Sequence, residues 1–158
     1  MAESKAYPFG RYFEDFQVGD SYYHWPGKTI TESDNNIFCL LTMNHHPIHS
    51  DVEFARASQY GKILVVGPYV FSLVVGMTIP DISGRAIANL AYHEVLHTNP
   101  VFIGDTIYAK TTVLEVRPSK SKHDRGIIKV ETCAYNQNDQ IVLKLTRSVL
   151  VPRREKEE

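Results

Sequence analysis

Residues 67–78 read Gly-Pro-Tyr-Val-Phe-Ser-Leu-Val-Val-Gly-Met-Thr and contain no charged side chain. Gly67 is a permissive N-cap and Pro68 suits the first helical position, so the pair is a typical helix start. The valines also allow a strand, but the Gly-Pro opening and the length favour a helix. A helix that is apolar around its circumference and too short to cross a bilayer belongs in a protein core. We therefore expect a buried central helix.

The pattern changes to period two after a turn at residues 80–84. Alternation of apolar and polar side chains is typical of antiparallel strands with one buried face. It occurs in four segments, residues 91–97, 107–116, 126–136 and 140–151. A further strand is expected at residues 21–25, ahead of the helix. One buried helix and five such strands predict an α+β fold in which a curved antiparallel sheet wraps around the central helix.

Two shorter helices are expected between the first strand and the central helix, as a helical overhang. Thr31 is a suitable N-cap for the first, with Glu32 and Asp34 in its first turn, where acidic side chains interact favourably with the helix dipole. Asp51 stands where the N-cap of the second helix should be. The apolar side chains of the first helix share one face: Ile37, Phe38, Leu40 and Leu41.

Residues 44–51, Asn-His-His-Pro-Ile-His-Ser-Asp, place three histidines and an acid between these two helices. Pro47 cannot continue a helix and biases His46 toward an extended conformation, so the turn is stiff. Titratable groups gathered at a stiff junction indicate a catalytic site, whereas the alternative is a polar turn between helices.

The composition indicates one soluble globular domain. The chain has 158 residues, and 17 basic against 18 acidic side chains argue against nucleic acid as a partner. We expect the domain to span residues 11–151, between an N-terminal arm (1–10) and a charged C-terminal tail (152–158). Cys39 and Cys133 lie far apart, which favours free thiols in a reducing compartment. No apolar run suits a membrane span or a signal peptide. We therefore expect a cytoplasmic protein without membrane association.

Three stretches, taken together, resemble the MaoC-like dehydratases, a hot-dog fold family that includes the (R)-specific enoyl-CoA hydratases. The family's hydratase motif is matched in order and spacing by Phe38, Leu41, Thr42, Pro47, Ile48, His49 and Ala55. Residues 60–63 with Gly67 are similar to the family's approach to the central helix, and residues 100–106 to its Pro-Val-x-x-Gly-Asp-Thr turn. The resemblance covers about residues 11–151 and implies a hot-dog fold.

Four positions depart from the family pattern. Met43 stands where the family has glycine, Asn44 where it has the catalytic aspartate, and His46 where it has asparagine. Val66 stands where many members have histidine. These departures leave the predicted fold unchanged and alter the catalytic assignment.

In the family, an aspartate and a histidine hold the water that adds to C3 of an enoyl thioester, or leaves from it. A backbone N–H at the central helix polarises the thioester carbonyl. The resemblance therefore implies that His49 is the base and that Gly67 binds the oxyanion, where the helix dipole strengthens its N–H. Asn44 cannot be a base, because an amide does not titrate near neutral pH, but it can bind water or a substrate oxygen.

The missing carboxylate leaves a gap that other side chains could fill. Asp51 is one candidate, and a second histidine, His46 or His45, is another. A pair of His46 and His49 could divide acid and base work. Pro47 and Val66 are expected to bind substrate. A metal site is not expected, because Pro47 breaks the helix that would align the neighbouring histidines as ligands.

The expected function is that of a hydro-lyase acting across the C2–C3 bond of a short acyl-CoA thioester. Branched or dicarboxylic substrates of the mesaconyl type are suggested, since Asn44 or His46 would contact an additional polar group. No cofactor is expected beyond the coenzyme A of the substrate. Sites in this fold commonly lie between protomers, so the resemblance implies a homodimer or a higher homo-oligomer.

Two alternatives stay open. The loss of the aspartate at Asn44 is compatible with a non-catalytic acyl-CoA-binding or accessory hot-dog protein. An acyl-CoA thioesterase is disfavoured, because many hot-dog thioesterases carry an acid on the central helix and residues 68–78 contain none.

Overall fold

The structure, a computed structural model, describes residues 9–154, so most of the predicted arm and tail lies outside the described residues. In chain order the strands and α-helices are β1 (Ser21–Thr29), α1 (Glu32–Thr42), α2 (Val52–Ala57), α3 (Gly67–Met77), β2 (Ala88–His97), β3 (Thr106–Pro118), β4 (Arg125–Tyr135) and β5 (Ile141–Pro152). Short 3-10 turns lie at Phe13–Asp15 and Pro47–His49, and a π-helical turn at Ile79–Ser83.

The five strands form one antiparallel sheet in the order β1-β3-β4-β5-β2. Buried and half-buried residues alternate along the whole of β4, as the period-two pattern predicted. The buried face packs against α3, and the shared core includes Val70, Val74, Ile107, Ala109, Leu143 and Leu145. The predicted α+β class, the central helix and the five strands are therefore confirmed.

The start of α3 differs by one residue from the prediction. Val66, with extended backbone angles (φ −64°, ψ 125°), is the N-cap, and Gly67 and Pro68 are the first two helical residues. The carbonyl of Val66 accepts a hydrogen bond from the N–H of Val70, which closes the first turn. The N–H of Val66 donates to the side chain of Asn35. The helix therefore begins at Gly67, one residue earlier than the predicted cap at Gly67 would allow.

The burial of α3 is also less complete than its composition suggested. Val70 and Val74 are buried against the sheet, whereas Pro68, Ser72 and Gly76 on the opposite side are exposed. A single sheet covers only one face of a helix. The other side of α3 is therefore open in the single chain.

Helix α1 begins as predicted and packs differently from the prediction. Thr31 forms a capping box with Asp34. The buried residues of α1 are Asn35 and Cys39, while most of the predicted apolar face is exposed: Ile37 (57%), Leu40 (70%) and Leu41 (78%). The helix thus turns its polar Asn35 inward because that side chain satisfies buried backbone groups at the site described below.

A buried cation closes the C-terminal end of α3. The guanidinium of Arg147, only 2% exposed, donates to Thr78 Oγ1 (2.8 Å), Ser83 Oγ (3.2 Å) and Asn89 Oδ1 (3.2 Å). The carbonyl end of a helix attracts positive charge. Burial lowers the pKa of Arg147. This end of α3 is structural, and the N-terminal end is the one that faces the candidate site.

Within residues 9–154 no helix is both long and apolar enough to span a membrane.

Candidate active site

His49 lies at the end of the stiff turn Pro47–His49, between α1 and α2, and is half-buried. Its Nδ1 is 2.7 Å from the carbonyl oxygen of Leu64. A carbonyl can only accept a hydrogen bond, so Nδ1 carries the proton and Nε2 of the neutral ring carries the lone pair. The geometry therefore presents Nε2 of His49 as a base.

Asn35 connects the His49 turn to the start of α3. The side chain is fully buried, its Nδ2 donates to the carbonyl of His49 (2.8 Å), and its Oδ1 accepts from the N–H of Val66 (3.0 Å). The motif comparison did not single out this residue. Its signal in the sequence was weak: a polar side chain four positions before the buried Cys39, on the inward face of α1.

Gly67 borders a cavity of about 310 Å³ at the start of α3. As the first residue of the helix, Gly67 has an N–H without a partner inside the helix. The cavity is also lined by Leu64, Val65, Tyr60 and His97. His49 does not line this cavity directly and reaches its wall through the hydrogen bond to Leu64.

His97, at the end of β2, packs against Gly67 and was not foreseen as a site residue. A Cβ atom on residue 67 would lie 3.1 Å from Cε1 of the His97 ring, so glycine leaves room for the imidazole. One side of His97 is exposed, but burial of the rest of the ring lowers its pKa. His97 therefore presents a neutral imidazole beside the Gly67 backbone at neutral pH.

Asn44 and His46 are arranged by backbone hydrogen bonds in the same turn. Oδ1 of Asn44 accepts from the N–H of His46 (3.3 Å), and Nδ1 of His46 accepts from the N–H of Ile48 (3.1 Å). His46 is thus the cap of the turn, with its ring proton on Nε2. Its ring centroid is 5.9 Å from that of His49. The His46 ring, with an Nε2–H donor, therefore lies near the His49 ring, and the side chain of Asn44 is attached to the backbone of His46.

The other three predicted site residues have structural partners. Oδ1 of Asp51 caps α2 by accepting from the N–H of Phe54 (3.0 Å), which confirms the predicted cap. Pro47 opens the 3-10 turn, and the side chain of Val66 is 1% exposed and packs in the core. The structure thus brings Asn44, His46 and His49 together. For Asp51, Pro47 and Val66, the catalytic or substrate contacts stay predictions.

Across residues 9–154, no group of three His, Cys, Asp or Glu side chains is arranged to hold a metal ion.

The family model described as the MaoC like domain matches residues 15–135. The chain belongs to the MaoC-like family. A family relative, the (R)-specific enoyl-CoA hydratase of Rhodospirillum rubrum, is 30% identical over 146 residues, which are 90% of this chain and 93% of that protein. This confirms the resemblance inferred from the motif around His49.

A second MaoC-like relative is considerably longer. The mesaconyl-CoA hydratase of Cereibacter sphaeroides is 36% identical over 146 residues, which are 92% of this chain and 42% of that protein. The chain therefore spans less than half the length of this relative.

The fold is confirmed by a solved structure from Mycobacterium tuberculosis that is described as a double hot-dog fold. It aligns with a TM-score of 0.84 at 21% identity, over 94% of this chain and 46% of that protein. This MaoC-like chain corresponds to one hot-dog unit.

Proposed function

We propose that this MaoC-like chain is a hydro-lyase that adds water across the C2–C3 double bond of enoyl-CoA thioesters and catalyses the reverse dehydration. The observation that carries the proposal is the hydrogen bond from Nδ1 of His49 to the Leu64 carbonyl, which leaves Nε2 as a base. The carbonyl that fixes this base belongs to Leu64, three residues before Gly67, whose N–H has no partner within residues 9–154. The segment that leads into α3 therefore both orients the base and ends at the oxyanion donor, the two groups that hydration requires.

In the proposed reaction, Nε2 of His49 accepts a proton from water while the water oxygen forms a bond to C3. The electron pair of the C2–C3 double bond moves toward the thioester and gives an enolate, whose oxygen the Gly67 N–H binds. The His49 imidazolium then returns its proton to C2, which restores the neutral base. One water is consumed and no redox partner is needed.

His46 contributes a hydrogen bond in this mechanism, rather than a proton. With Nδ1 bound to the Ile48 N–H, a neutral His46 that gave up its Nε2 proton would become an unstable imidazolate. His46 and Asn44 instead orient the water or a polar group of the substrate through their N–H donors. His49 thus carries both proton transfers.

The proposed substrates are short enoyl-CoA thioesters with a branch or a second carboxylate. Relatives named mesaconyl-CoA hydratase and beta-methylmalyl-CoA dehydratase, 36% and 34% identical to this chain, support this class. So do the two N–H donors at Asn44 and His46, because the family aspartate at position 44 would repel an additional carboxylate. Hydration of such substrates needs no cofactor besides their own coenzyme A.

The proposed functional unit is a homodimer. Strand β2 is at the edge of the sheet and carries exposed apolar side chains: Leu90, Tyr92, Val95 and Leu96. Pairing of edge strands and coverage of exposed apolar surface are common reasons for association. This chain matches one half of the double hot-dog protein, and a second copy of the chain would take the place of the other half.

We also propose a cytoplasmic location, supported by the free thiols Cys39 and Cys133.

The alternative function is that of a non-catalytic acyl-CoA-binding protein, which the asparagine at position 44 favours. A spectrophotometric assay separates the possibilities: purified protein is mixed with crotonyl-CoA or mesaconyl-CoA, and the absorbance of the conjugated thioester is followed. We expect the absorbance to fall and the product mass to rise by one water. Release of free coenzyme A thiol would instead indicate a thioesterase, and an unchanged substrate that still binds would indicate the binding protein.

A further inference from the structure

We infer that Asn35 is a positioning residue whose single amide group sets the distance between the His49 base and the Gly67 oxyanion donor. This inference rests on the proposed hydro-lyase function and adds a residue outside the hydratase motif.

Among residues 9–154, the side-chain hydrogen bonds of Asn35 go to the two halves of the site. Its Nδ2 binds the carbonyl of His49, the base itself, at 2.8 Å. Its Oδ1 binds the N–H of Val66, the residue directly before Gly67, at 3.0 Å. Residue 49 is 14 positions away and residue 66 is 31 positions away, so the amide joins two separate segments of the chain. A backbone hydrogen bond from the N–H of Leu64 to the carbonyl of Ile48 (3.2 Å) also connects these segments, and the amide adds the link to Val66, directly before Gly67.

Only a side chain with both a donor and an acceptor can make this connection. The His49 carbonyl needs a donor and the Val66 N–H needs an acceptor, and an amide of the length of asparagine supplies both. Asparagine is a poor residue for a helix interior, and Asn35 is fully buried in α1. Helix propensity therefore does not explain an asparagine at position 35, whereas the two backbone hydrogen bonds of its side chain do.

The hydrogen bond from His49 to Leu64 completes a small ring of contacts. His49 is held to the strand-like segment before α3 at Leu64 through its ring, and at Val66 through the amide of Asn35. In the proposed reaction, C3 and the thioester oxygen belong to one rigid conjugated system. The base and the N–H must therefore match a fixed separation, and small displacements lower the rate of the chemical step.

The discriminating variant is Asn35→Asp, assayed at the highest pH that the fold tolerates, because only the ionised carboxylate keeps the size of the side chain and the acceptor for Val66 while losing the donor to His49. Its matched control is Asn36→Asp, the same change on the exposed neighbouring position of α1. We expect Asn35→Asp to lower kcat by roughly 100-fold with KM within about twofold, because the substrate contacts stay while the base moves. Asn36→Asp should leave both constants unchanged.

A second readout does not depend on turnover. In nitrogen-15 NMR spectra, the ring nitrogens of His49 and the amide of Gly67 should both shift in Asn35→Asp and not in Asn36→Asp. Should Asn35→Asp fail to fold by circular dichroism, Asn35→Ser, which is too short to reach both partners, takes its place in both measurements.

The outcomes are distinct for this inference and for the proposed function. Unchanged His49 and Gly67 signals together with unchanged kcat in the Asn35 variants would overturn the positioning role. Shifted signals in a protein whose wild type hydrates no enoyl-CoA would overturn the proposed function and leave the structural link intact. A loss of kcat with unshifted signals would likewise contradict positioning.

Discussion

Nδ1 of His49 lies 2.7 Å from the carbonyl oxygen of Leu64, and this contact decides which ring nitrogen can act as a base. A histidine in a free turn would exchange between its two tautomers. Here the carbonyl selects the tautomer with the proton on Nδ1. The same contact fixes the ring against Leu64, in the segment that leads into α3.

Replacing Asn44 by aspartate tests the proposed preference for a second carboxylate. The variant restores the family residue and places a negative charge where an amide donor now lies. We expect the ratio of kcat/KM for crotonyl-CoA to that for mesaconyl-CoA to rise by about tenfold or more, because like charges repel at close range. Steady-state kinetics with both substrates measures this ratio, and an unchanged ratio would remove Asn44 from the substrate contacts.

Replacing His46 by asparagine, the family residue, separates a hydrogen-bonding role from a proton-transfer role. Asparagine is a good N-cap, so the turn should fold as before. We expect turnover to slow by less than about tenfold, since removal of a true general acid slows it more, by about 100-fold to 10,000-fold. The His46→Ala variant, which also loses the cap, should be less stable by about 1 kcal/mol. If His46→Asn instead slows turnover as much as the loss of a general acid does, the result would support division of acid and base work between His46 and His49.

A buried histidine at the other end of the molecule should make stability depend on pH. His24 is 5% exposed, its Nδ1 is 2.9 Å from Asp81 Oδ2, and its Nε2 is 2.7 Å from Thr111 Oγ1. Burial lowers the pKa of His24 below its usual value of 6.5, while Asp81 opposes this shift and the nearby Arg147 and Arg11 add to it. Protonation therefore favours the unfolded chain.

The contribution of His24 to stability should be complete above pH 6.5 and should be lost as the pH falls through the lower pKa of the folded state. Urea unfolding between pH 7.5 and pH 5 measures it, in roughly half-unit steps. His24→Gln should flatten the profile in this range, whereas His123→Gln, at an exposed loop position, should not. An identical slope for wild type and His24→Gln would show that other groups cause the pH dependence.

A charge on the outer strand should disrupt the proposed dimer. Leu96 is 43% exposed on the edge strand β2, and Leu114 is 42% exposed on β3, which is flanked by strands on both sides. We expect Leu96→Lys to give a monomer in size-exclusion chromatography with light scattering, because a buried lysine at an interface is costly. Leu114→Lys should remain dimeric. A wild type that is monomeric at micromolar concentration would contradict the proposed assembly.

Much of the fold could be predicted because its signals are local. Backbone periodicity explains the alternation along β4, and the lack of charge in α3 marks a core helix. The caps could be predicted because Thr31 and Asp51 each bind the first turn of their own helix. The family's preference for glycine at position 43 also has a local cause. Met43 stands there in this chain with a left-handed backbone (φ 58°), a conformation that favours glycine.

The errors concern partners that are distant in the sequence. Periodicity identified the apolar face of α1 with Leu40 and Leu41, but could not show that the sheet and α3 leave it uncovered. Asn35 and His97 were missed for the same reason, since their partners His49, Val66 and Gly67 are known only once the chain is folded. The motif thus located the proposed base, His49, and the fold located the groups that hold it.

The most direct test of the account compares wild type, His49→Ala and His45→Ala in the hydration of the better of crotonyl-CoA and mesaconyl-CoA. His45 is the exposed neighbouring histidine in the same turn and serves as the matched control. We predict that His49→Ala lowers kcat/KM by about 1,000-fold, the loss typical of a removed general base, while His45→Ala stays within about twofold. A His49→Ala enzyme that hydrates the substrate at the wild-type rate would contradict the assignment of His49 as the base.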